Sequence, residues 1–241
     1  MNEPLVTVII PCWGRYIKYL PRCLKSVHKQ TYKNIEIDVI TNIDNAPQGC
    51  NLGCKNAMGK YIAFLGADDT WMPDKIKKQV EFMEHFPHCS LCVCWSEDNR
   101  FNAKRISKAK EWATYFDLLK AFNYSSGSTY MIRNNNIDLK FDEKLLSGQE
   151  YDFALRLLQY TPNYAHCIQE VLVKQFSTPG QISTNWNKKI KGVLQLANKH
   201  GTNYTMFDWV KVIGLLGLFF SGFILNVNIY KLITHVKELY E

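Results

Sequence analysis

Four short, mostly apolar segments recur in the first 95 residues, and they constrain the fold more than any other feature. They are residues 5–10, 35–40, 61–65 and 90–95. The first, LVTVII, is a continuous apolar run of the kind found in strands buried on both faces of a parallel sheet. The segments between them have helical periodicity, and Pro21, Pro47 and Pro73 stand where helices are expected to start. Repeated strand–helix units predict an α/β fold with a mostly parallel, doubly wound sheet.

Composition indicates a folded domain with a basic surface. Hydrophobic residues make up 46% of the 241 residues and charged residues 21%, which excludes global disorder. The formal net charge of +7 favours anionic partners such as nucleotides, nucleic acids or an acidic membrane surface. No recognition-helix, zinc-finger or RNP motif is found, and no Walker or GxGxxG loop follows the first strand. We therefore expect no nucleic acid partner, no P-loop NTPase and no NAD enzyme of the Rossmann type.

Eight cysteines are a further feature of the composition. The N-terminal residues lack the charged and apolar segments of a signal peptide, so the thiols are expected to stay reduced in the cytoplasm. Cys50 and Cys54 are four residues apart, and three more cysteines cluster in residues 88–95, HCSLCVCW. This spacing leaves two interpretations, a zinc site or small buried side chains on a strand.

The C-terminal region has a different character. The segment Val212–Leu225 carries no charged side chain. Its fourteen residues would extend about 21 Å as a helix, which is shorter than the roughly 30 Å hydrocarbon core of a bilayer. Lys211 and Lys231 flank the segment, so we expect residues 206–235 to lie at a membrane surface as an interfacial helix. A buried core helix or an oligomer contact is the alternative.

The third strand leads into two adjacent acids, Asp68 and Asp69, shortly before the helix expected at Pro73. Acids at the carboxyl end of a central strand lie where open α/β sheets bind ligands. Carboxylate oxygens there are suited to Mg²⁺ or Mn²⁺, which also take oxygens from a diphosphate. An Asx turn that caps the following helix would use the same residue types, so the acid pair alone leaves both interpretations open.

Motifs spread over residues 4–183 resemble the family 2 glycosyltransferases of the GT-A fold. The resemblance rests on SVHKQTY before the second strand, N-x-G-x-x-x-A-x-G before the third, and W-x-P-D after the acid pair. It implies a catalytic domain at residues 1–185, followed by a C-terminal helical region at 186–241. It also implies an inverting enzyme that moves a sugar from a nucleotide-diphosphate sugar, expected to be a UDP-sugar, to a glycan or lipid-linked acceptor.

The resemblance implies that the nucleotide lies beside the first two strands. Three residues are expected by position to line that pocket: Pro11, Trp13 and Arg15. The family usually has an Asp pair after the second strand, but this chain has Thr41 and Asn42, with Asp44 close by. We expect Asn42 or Asp44 to accept a hydrogen bond from the nucleobase.

The family's metal motif, an Asp-x-Asp sequence, is altered in this chain. Gly66 replaces the first acid, while Asp68 and Asp69 remain. The resemblance implies that Asp68 coordinates the divalent cation, and that Asp69 supports the site or contacts the sugar. A metal held partly by substrate phosphates needs few protein ligands.

The catalytic base is expected at the start of the helix near residue 149, where the chain reads QEYD. Glu150 matches the family's base, and Asp152 is the second candidate. A carboxylate within hydrogen-bond reach of the acceptor hydroxyl can take its proton as the glycosidic bond forms. Alternatively, Glu150 only complements the helix dipole.

Two functions follow from these patterns. The first is a metal-dependent inverting glycosyltransferase of surface polysaccharide or glycolipid synthesis, cytoplasmic and peripheral on the inner face of the membrane. The second, prompted by Gly66, Thr41 and Asn42, is a degenerate GT-A domain that binds a nucleotide or a partner without catalysis.

Overall fold

The computed structural model describes residues 3–99, 104–121, 124–135, 139–159, 164–178 and 185–206, together with 212–214 and 216–217. The chain divides into two compact units, Met1–Glu143 with Gln149–Pro179, and Lys144–Gly148 with Gly180–Glu241. Most of the apolar segment predicted to reach a membrane, residues 206–235, lies outside the described residues. Within the described part of the chain, no helix combines the length and the apolar character needed to cross a bilayer.

The first unit alternates strands and helices over most of its length. Its strands are β1 (Val6–Pro11), β2 (Ile35–Ile40), β3 (Tyr61–Phe64), β4 (Thr70–Trp71), β5 (Cys89–Asp98), β6 (Arg105–Ser107), β7 (Trp112–Ala113), β8 (Met131–Arg133) and β9 (Tyr164–Gln175). Its α-helices are α1 (Leu20–His28), α2 (Ala46–Asn56), α3 (Lys75–His85), α4 (Tyr115–Ala121) and α5 (Gln149–Gln159). Short 3₁₀ helices occupy Gly14–Tyr19 and Gly127–Thr129.

One mixed sheet forms the centre of this unit, in the order β2-β1-β3-β8-β5-β9-β4, with β6 on β5 and β7 on β9. β1 pairs in parallel with β2 and β3, and β5 pairs in parallel with β9. β8 is antiparallel to both of its neighbours, β3 and β5. The predicted α/β class with a mostly parallel sheet is confirmed. Because β8 runs the opposite way, its first residue lies at the same sheet edge as the carboxyl ends of β3 and β9.

Both faces of the sheet are covered by helices. On one face, buried β1 residues such as Val8 pack with α1 and α3, whose inward side chains include Val27, Ile76 and Met83. On the other face an aromatic cluster joins β3 to α5, with the rings of Phe141 and Phe153 stacked at 4.1 Å and Phe64 against both. Full burial of a large apolar side chain contributes roughly 1.5–3 kcal/mol. These two layers make the sheet doubly wound.

The second unit contains α6 (Trp186–His200) and a 3₁₀ turn at Gly201–Asn203. The side chain of Asn185 caps α6 by accepting a hydrogen bond from the amide of Lys188 at 3.0 Å. Gln195 on α6 hydrogen-bonds the backbone of Lys144 and Leu146, both at 2.9 Å. Residues 144–148 therefore belong with α6.

All eight cysteines are free thiols, and seven of them are buried. Cys89, Cys92 and Cys94 lie on β5 with no exposed surface. Within the described residues, no group of three or more His, Cys, Asp or Glu side chains is arranged to hold a metal ion. The cysteine cluster is therefore part of the strand core, in line with the second interpretation of its spacing.

These thiols give the stability of the protein a definite pH dependence. Burial raises the pKa of Cys89, Cys94 and Cys167 from 9.0 to about 12. Between pH 9 and 12 each thiol keeps its proton in the folded state and loses it on unfolding, so the unfolded state binds fewer protons. The free energy of unfolding then falls by about 1.4 kcal/mol per thiol and pH unit. Burial lowers the pKa of Lys75 from 10.5 to about 8. This shift makes the free energy of unfolding rise with pH between these two values, but it involves one group against three thiols.

We therefore expect the urea midpoint, measured under reducing conditions, to drop markedly between pH 8 and pH 10. A Cys94→Ala variant should show a shallower drop. A midpoint that is constant or rises over this range would contradict the prediction.

Candidate active site

Several chain segments meet at the edge of the sheet where the parallel strands end. The turn after β3 carries Asp68 and Asp69, and the segment after β9 carries Thr178. Ser128 arrives from the 3₁₀ turn before β8, and Glu150 from the first turn of α5. The carboxyl ends of parallel strands are the usual ligand-binding edge of open α/β sheets.

The turn that carries the acid pair is held from two directions. It is closed by a hydrogen bond from the amide of Asp69 to the carbonyl of Gly66 at 2.9 Å. Arg22 on α1 donates from Nη2 to the carbonyl oxygen of Asp68, and its guanidinium lies 3.7 Å from the ring centroid of Phe176, just after β9. One arginine thus ties together α1, the acid turn and the segment after β9.

Asp69 is a buried anchor, only 7% exposed. Its Oδ2 accepts a hydrogen bond from the hydroxyl of Ser128 at 2.6 Å, and its Oδ1 accepts one from the amide of Phe176 at 3.2 Å. The hydroxyl of Ser128 in turn accepts from the amide of Gly66 at 3.0 Å. Because both oxygens of Asp69 are engaged in this way, its carboxylate joins the start of β8 and the end of β9 to the turn after β3.

Asp68 lies beside this anchor and is half-buried. Its Oδ2 accepts a hydrogen bond from the hydroxyl of Thr178 at 3.0 Å. A Cβ atom placed on Gly66 would lie 3.2 Å from Oδ1 of Asp68, 3.3 Å from Oγ of Ser128 and 3.5 Å from Oδ2 of Asp69. Glycine at position 66 therefore leaves a small cradle of three oxygen-bearing side chains, and hard oxygen donors of this kind fit Mg²⁺ or Mn²⁺.

The acid turn also influences a neighbouring thiol. Burial raises the pKa of Cys12, and the negative charge of Asp68 adds to the effect. Burial likewise raises the pKa of Cys23, whose thiol lies 3.7 Å from the carbonyl of Gly66. Both thiols are therefore neutral at physiological pH and are not poised as nucleophiles.

Glu150 lies against the same turn that carries Ser128. A Cβ atom added to Gly127 would come within 2.9 Å of Cγ and 3.3 Å of Oε1 of Glu150. The hydroxyl of Tyr130 donates to the carbonyl oxygen of Glu150 at 3.4 Å. The turn at Gly127–Thr129 thus touches Glu150 through one residue and Asp69 through the next, which brings Glu150 and the acid pair to one end of the sheet.

Asp152, the second candidate for the base, has a different environment. Its side chain is fully buried, and its Oδ2 accepts from Nη2 of Arg156 at 2.6 Å and from Nε at 2.9 Å. Arg156 also donates to the carbonyl oxygen of Lys140 at 2.7 Å. This ion pair holds the first turns of α5 in place, and the position of Asp152 favours Glu150 as the residue that meets a substrate.

The residues expected to bind the nucleotide follow β1. Pro11 is buried at the end of the strand, Trp13 is half-buried and Arg15 is exposed. The ring of Trp13 lies 4.7 Å from that of Tyr16, and the guanidinium of Arg15 lies 5.2 Å from the Tyr16 ring. Pro11 is thus the last residue of β1, Trp13 immediately precedes the 3₁₀ helix Gly14–Tyr19, and Arg15 lies in its first turn.

Asn42 and Asp44 follow β2, the strand next to β1, and both are exposed. Asn42 has φ of +57°, in the left-handed region that asparagine tolerates better than most residues. The amide of Asp44 donates to Oε1 of Gln48 at 2.7 Å, which leaves the carboxylate of Asp44 outside the local cap of α2. Because β2 pairs in parallel with β1 up to Ile40 and Pro11, both residues follow the strand end that lies beside the end of β1.

Sequence reasoning missed several residues of this edge: Arg22, Gly127, Ser128, Phe176 and Thr178. None belongs to an acidic or metal-binding pattern. Gly127 contacts Glu150, 23 residues away, and the hydrogen-bond partners of the others at this edge are 46 to 110 residues away. The Ser-Gly-Ser sequence at 126–128 is the one local signal, since small residues before a strand suit a close approach of two segments.

A family profile described as Glycosyl transferase family 2 matches residues 7–46 and 44–137, more than half of the chain. An uncharacterized glycosyltransferase of Methanocaldococcus jannaschii is 25% identical over 237 residues, covering 78% of this chain and 82% of the relative. One from Haemophilus influenzae is 27% identical, with coverage of 78% and 84%. One from Rickettsia prowazekii is 29% identical, and the chain spans 64% of its length.

Solved structures agree with this assignment at the level of the fold. S. aureus TarS in complex with UDP-GlcNAc is similar with a TM-score of 0.62 at 16% identity, over 80% of this chain and 67% of that one. A mannosyltransferase from Pyrobaculum calidifontis in complex with GDP-Man and Mn²⁺ gives a TM-score of 0.60 at 12% identity, over 82% and 65%. From the profile match, the relatives and the shared fold, we conclude that the chain belongs to glycosyltransferase family 2 and is a glycosyltransferase with the GT-A fold.

Proposed function

We propose that the protein is an inverting glycosyltransferase that moves a sugar from a nucleotide-diphosphate sugar, a UDP-sugar in the first instance, to a glycan or lipid-linked acceptor of surface polysaccharide or glycolipid synthesis. Glu150 serves as the base, and Asp68 holds Mg²⁺ or Mn²⁺. Pro11, Trp13, Arg15, Asn42 and Asp44 bind the nucleotide end of the donor, and Asp69 supports the site.

One observation carries this proposal. The turn at Gly127–Thr129 contacts Glu150 on one side and, through Ser128, the acid pair on the other. This shared turn supports the proposal that Glu150 and Asp68 act on opposite ends of the same small substrate. A carboxylate that only complemented the helix dipole of α5 would need no such neighbour.

The chemistry follows from these positions. Glu150 takes the proton of the acceptor hydroxyl as the acceptor oxygen forms its bond to the anomeric carbon. The bond from that carbon to the diphosphate oxygen breaks, and its electron pair leaves with the nucleoside diphosphate. Attack from the face opposite the leaving group inverts the anomeric centre. A divalent cation bound at Asp68 would supply positive charge for the departing diphosphate.

Two solved relatives of this fold support the donor class, since one was solved with UDP-GlcNAc and the other with GDP-Man and Mn²⁺. Thr41 and Asn42 stand after β2 in place of the family's usual Asp pair, and they influence which nucleobase this chain accepts.

We further propose that the enzyme works in the cytoplasm on the inner face of the membrane, with residues 206–235 at the bilayer surface.

The proposal is tested by a panel of nucleotide sugars, UDP-GlcNAc and GDP-Man included, screened by thermal unfolding with and without Mn²⁺. A donor present at about one hundred times its Kd should stabilise the fold by about 2.7 kcal/mol, a rise in Tm of about 5–10 °C. Mn²⁺ should increase the shift, and the donor that gives it should be hydrolysed or transferred.

Two results would count against the proposal. If no nucleotide sugar in the panel shifts the Tm, the donor class is wrong. If a donor binds but is neither hydrolysed nor transferred to any glycan or lipid acceptor, the degenerate, non-catalytic alternative is favoured, in which the loss of the acid at Gly66 has ended turnover.

A further inference from the structure

The first thirty-odd residues carry a one-sided charge distribution, of which the proposed transfer reaction uses only Arg15. No acid occurs between Glu3 and Glu36, while this stretch contains six lysines and arginines. They are Arg15, Lys18, Arg22, Lys25, Lys29 and Lys33, and all are exposed. A solvated helix face of a globular protein usually mixes both signs of charge, so an unbroken basic stretch needs a further explanation.

The structure places most of these cations on one surface. Arg22 and Lys25 lie on α1, and Lys29 follows as its C-terminal cap residue. Their spacing of three and four residues puts them on one solvent face, opposite the buried Cys23 and Val27. The preceding 3₁₀ segment, Gly14–Tyr19, continues the surface. We call the surface formed by Ile17, Lys18, Arg22, Lys25 and Lys29 the α1 surface.

The α1 surface also exposes apolar and aromatic groups among its charges. Ile17 is 56% exposed although it is a large aliphatic residue. Tyr16 and Tyr19 beside it are half-buried, and the ammonium group of Lys18 lies 4.9 Å from the Tyr19 ring. Lysine and arginine around an exposed aliphatic and tyrosine side chains are the composition of segments that lie at a membrane interface.

We propose that the α1 surface docks the protein onto a bilayer containing anionic lipids. The positive charge complements the negative potential of such a surface, and Ile17 enters the headgroup region. A soluble polyanion would be attracted by the charges but would gain nothing from Ile17. The mixture of charge and apolar exposure therefore favours a membrane over a polyanionic chain.

The position of this surface relative to the active site makes the docking useful. Arg22 belongs to the α1 surface and also donates to the carbonyl oxygen of Asp68, so the surface borders the acid turn. Docking through α1 would hold the sheet edge with Asp68 near the headgroups. The docking proposal deepens the proposed function. It rests on that function in one respect, namely that the acceptor is linked to a lipid.

The test measures binding of the full chain to vesicles by flotation, without donor or metal, so that its result is independent of transfer. Vesicles of phosphatidylcholine are compared with vesicles that contain roughly one third phosphatidylglycerol. Lys18→Glu combined with Lys25→Glu should weaken binding to the anionic vesicles by at least about tenfold. Ile17→Ser should weaken it by about fivefold.

The matched control combines Lys55→Glu with Lys120→Glu, which makes the same change in net charge. Both lysines are exposed, on α2 and α4, and Lys55 lies on the helix layer opposite α1. This variant should keep vesicle binding within about twofold of the wild type, since its charges face away from the bilayer. Circular dichroism and the Tm confirm that each variant is folded.

Three outcomes would overturn the proposal. Equal weakening by both double variants would mean that only net charge matters. Vesicle binding unchanged in every α1 variant would place the membrane contact elsewhere in the chain. Binding to a soluble polyanion that is lost in the lysine variant and kept in Ile17→Ser, with no vesicle binding by the wild type, would identify a polyanion surface instead.

Discussion

The Glu150→Gln variant is expected to lose sugar transfer by about 10²- to 10⁴-fold while it binds the donor as the wild type does. Glutamine has nearly the same shape as glutamate and keeps a hydrogen bond to the acceptor hydroxyl, but it does not accept a proton. The contact with Gly127 involves Cγ and Oε1, and both positions are preserved in glutamine. The loss should therefore appear in kcat, with the donor Kd unchanged.

Transfer is measured under saturating donor, and donor affinity separately by calorimetry. Glu81→Gln is the matched control, since Glu81 is an exposed residue of α3 whose ion pair with Lys77 is loose at 4.0 Å. Its turnover should equal that of the wild type. Normal turnover by Glu150→Gln would show that Glu150 is not the base and that another group at this edge accepts the proton.

Gly127→Ala provides an independent check on the same geometry. The added Cβ would lie 2.9 Å from Cγ of Glu150, so the glutamate side chain must move. We expect a smaller loss of kcat than in Glu150→Gln, with an unchanged donor Kd. If Gly127→Ala has full activity, the contact between the turn and Glu150 is not needed for catalysis.

The Asp68→Asn variant is expected to lose the part of donor affinity that depends on a divalent cation, at least about tenfold. Asparagine can still accept the hydrogen bond from Thr178, so the turn should stay intact. It lacks the negative charge that a hard cation prefers in its ligands. With Gly66 in place of the family's first acid, Asp68 is the half-buried carboxylate of the cradle, and Asp69 is already engaged by Ser128 and Phe176.

Calorimetric titration of donor with and without Mn²⁺ measures this effect. Asp74→Asn is the control, because Asp74 is an exposed acid that follows the same turn. Its carboxylate accepts a hydrogen bond from the hydroxyl of Thr31 at 2.7 Å, which asparagine can also accept. The control should keep the full response to Mn²⁺. If Asp68→Asn also keeps it, the metal is not held at this carboxylate.

Much of the secondary structure was predictable from local patterns. The apolar residues Phe153, Leu157 and Leu158 predict a helix over residues 149–159, and α5 spans Gln149–Gln159. Asn45 stands two residues before Pro47, where a helix cap is expected, and its side chain accepts a hydrogen bond from the amide of Gln48 at 2.9 Å. Both signals are short-range, since a helix face repeats within four residues and a cap bonds three residues ahead.

Local patterns failed where a distant strand decided the outcome. The sequence pattern predicts a helix over residues 112–122, but the observed helix is shorter, because Trp112 pairs with His166 of β9 and forms the strand β7. Helix α4 begins at Tyr115. At its start, the amide and the hydroxyl of Thr114 both donate hydrogen bonds to Oδ2 of Asp117. The pattern of residues 163–176 predicts either a pair of strands or one long strand, and the structure has the single strand β9 at Tyr164–Gln175. Pairing partners decide such cases, and they are remote in sequence.

By itself the sequence determined the α/β class, the acids at the end of β3 and the helix that presents Glu150, because each depends on side-chain periodicity or on neighbouring residues. Only the tertiary structure decided that both carboxylate oxygens of Asp69 accept hydrogen bonds from distant segments and that Asp152 is buried in an ion pair with Arg156. It also placed the Gly127–Thr129 turn between Glu150 and the acid pair. Apart from the Asp152–Arg156 ion pair, which spans one helical turn, these contacts join residues that are far apart in the chain, such as Phe176 and Asp69 at a separation of 107. Their geometry is set by the packing of the sheet, which no local pattern encodes.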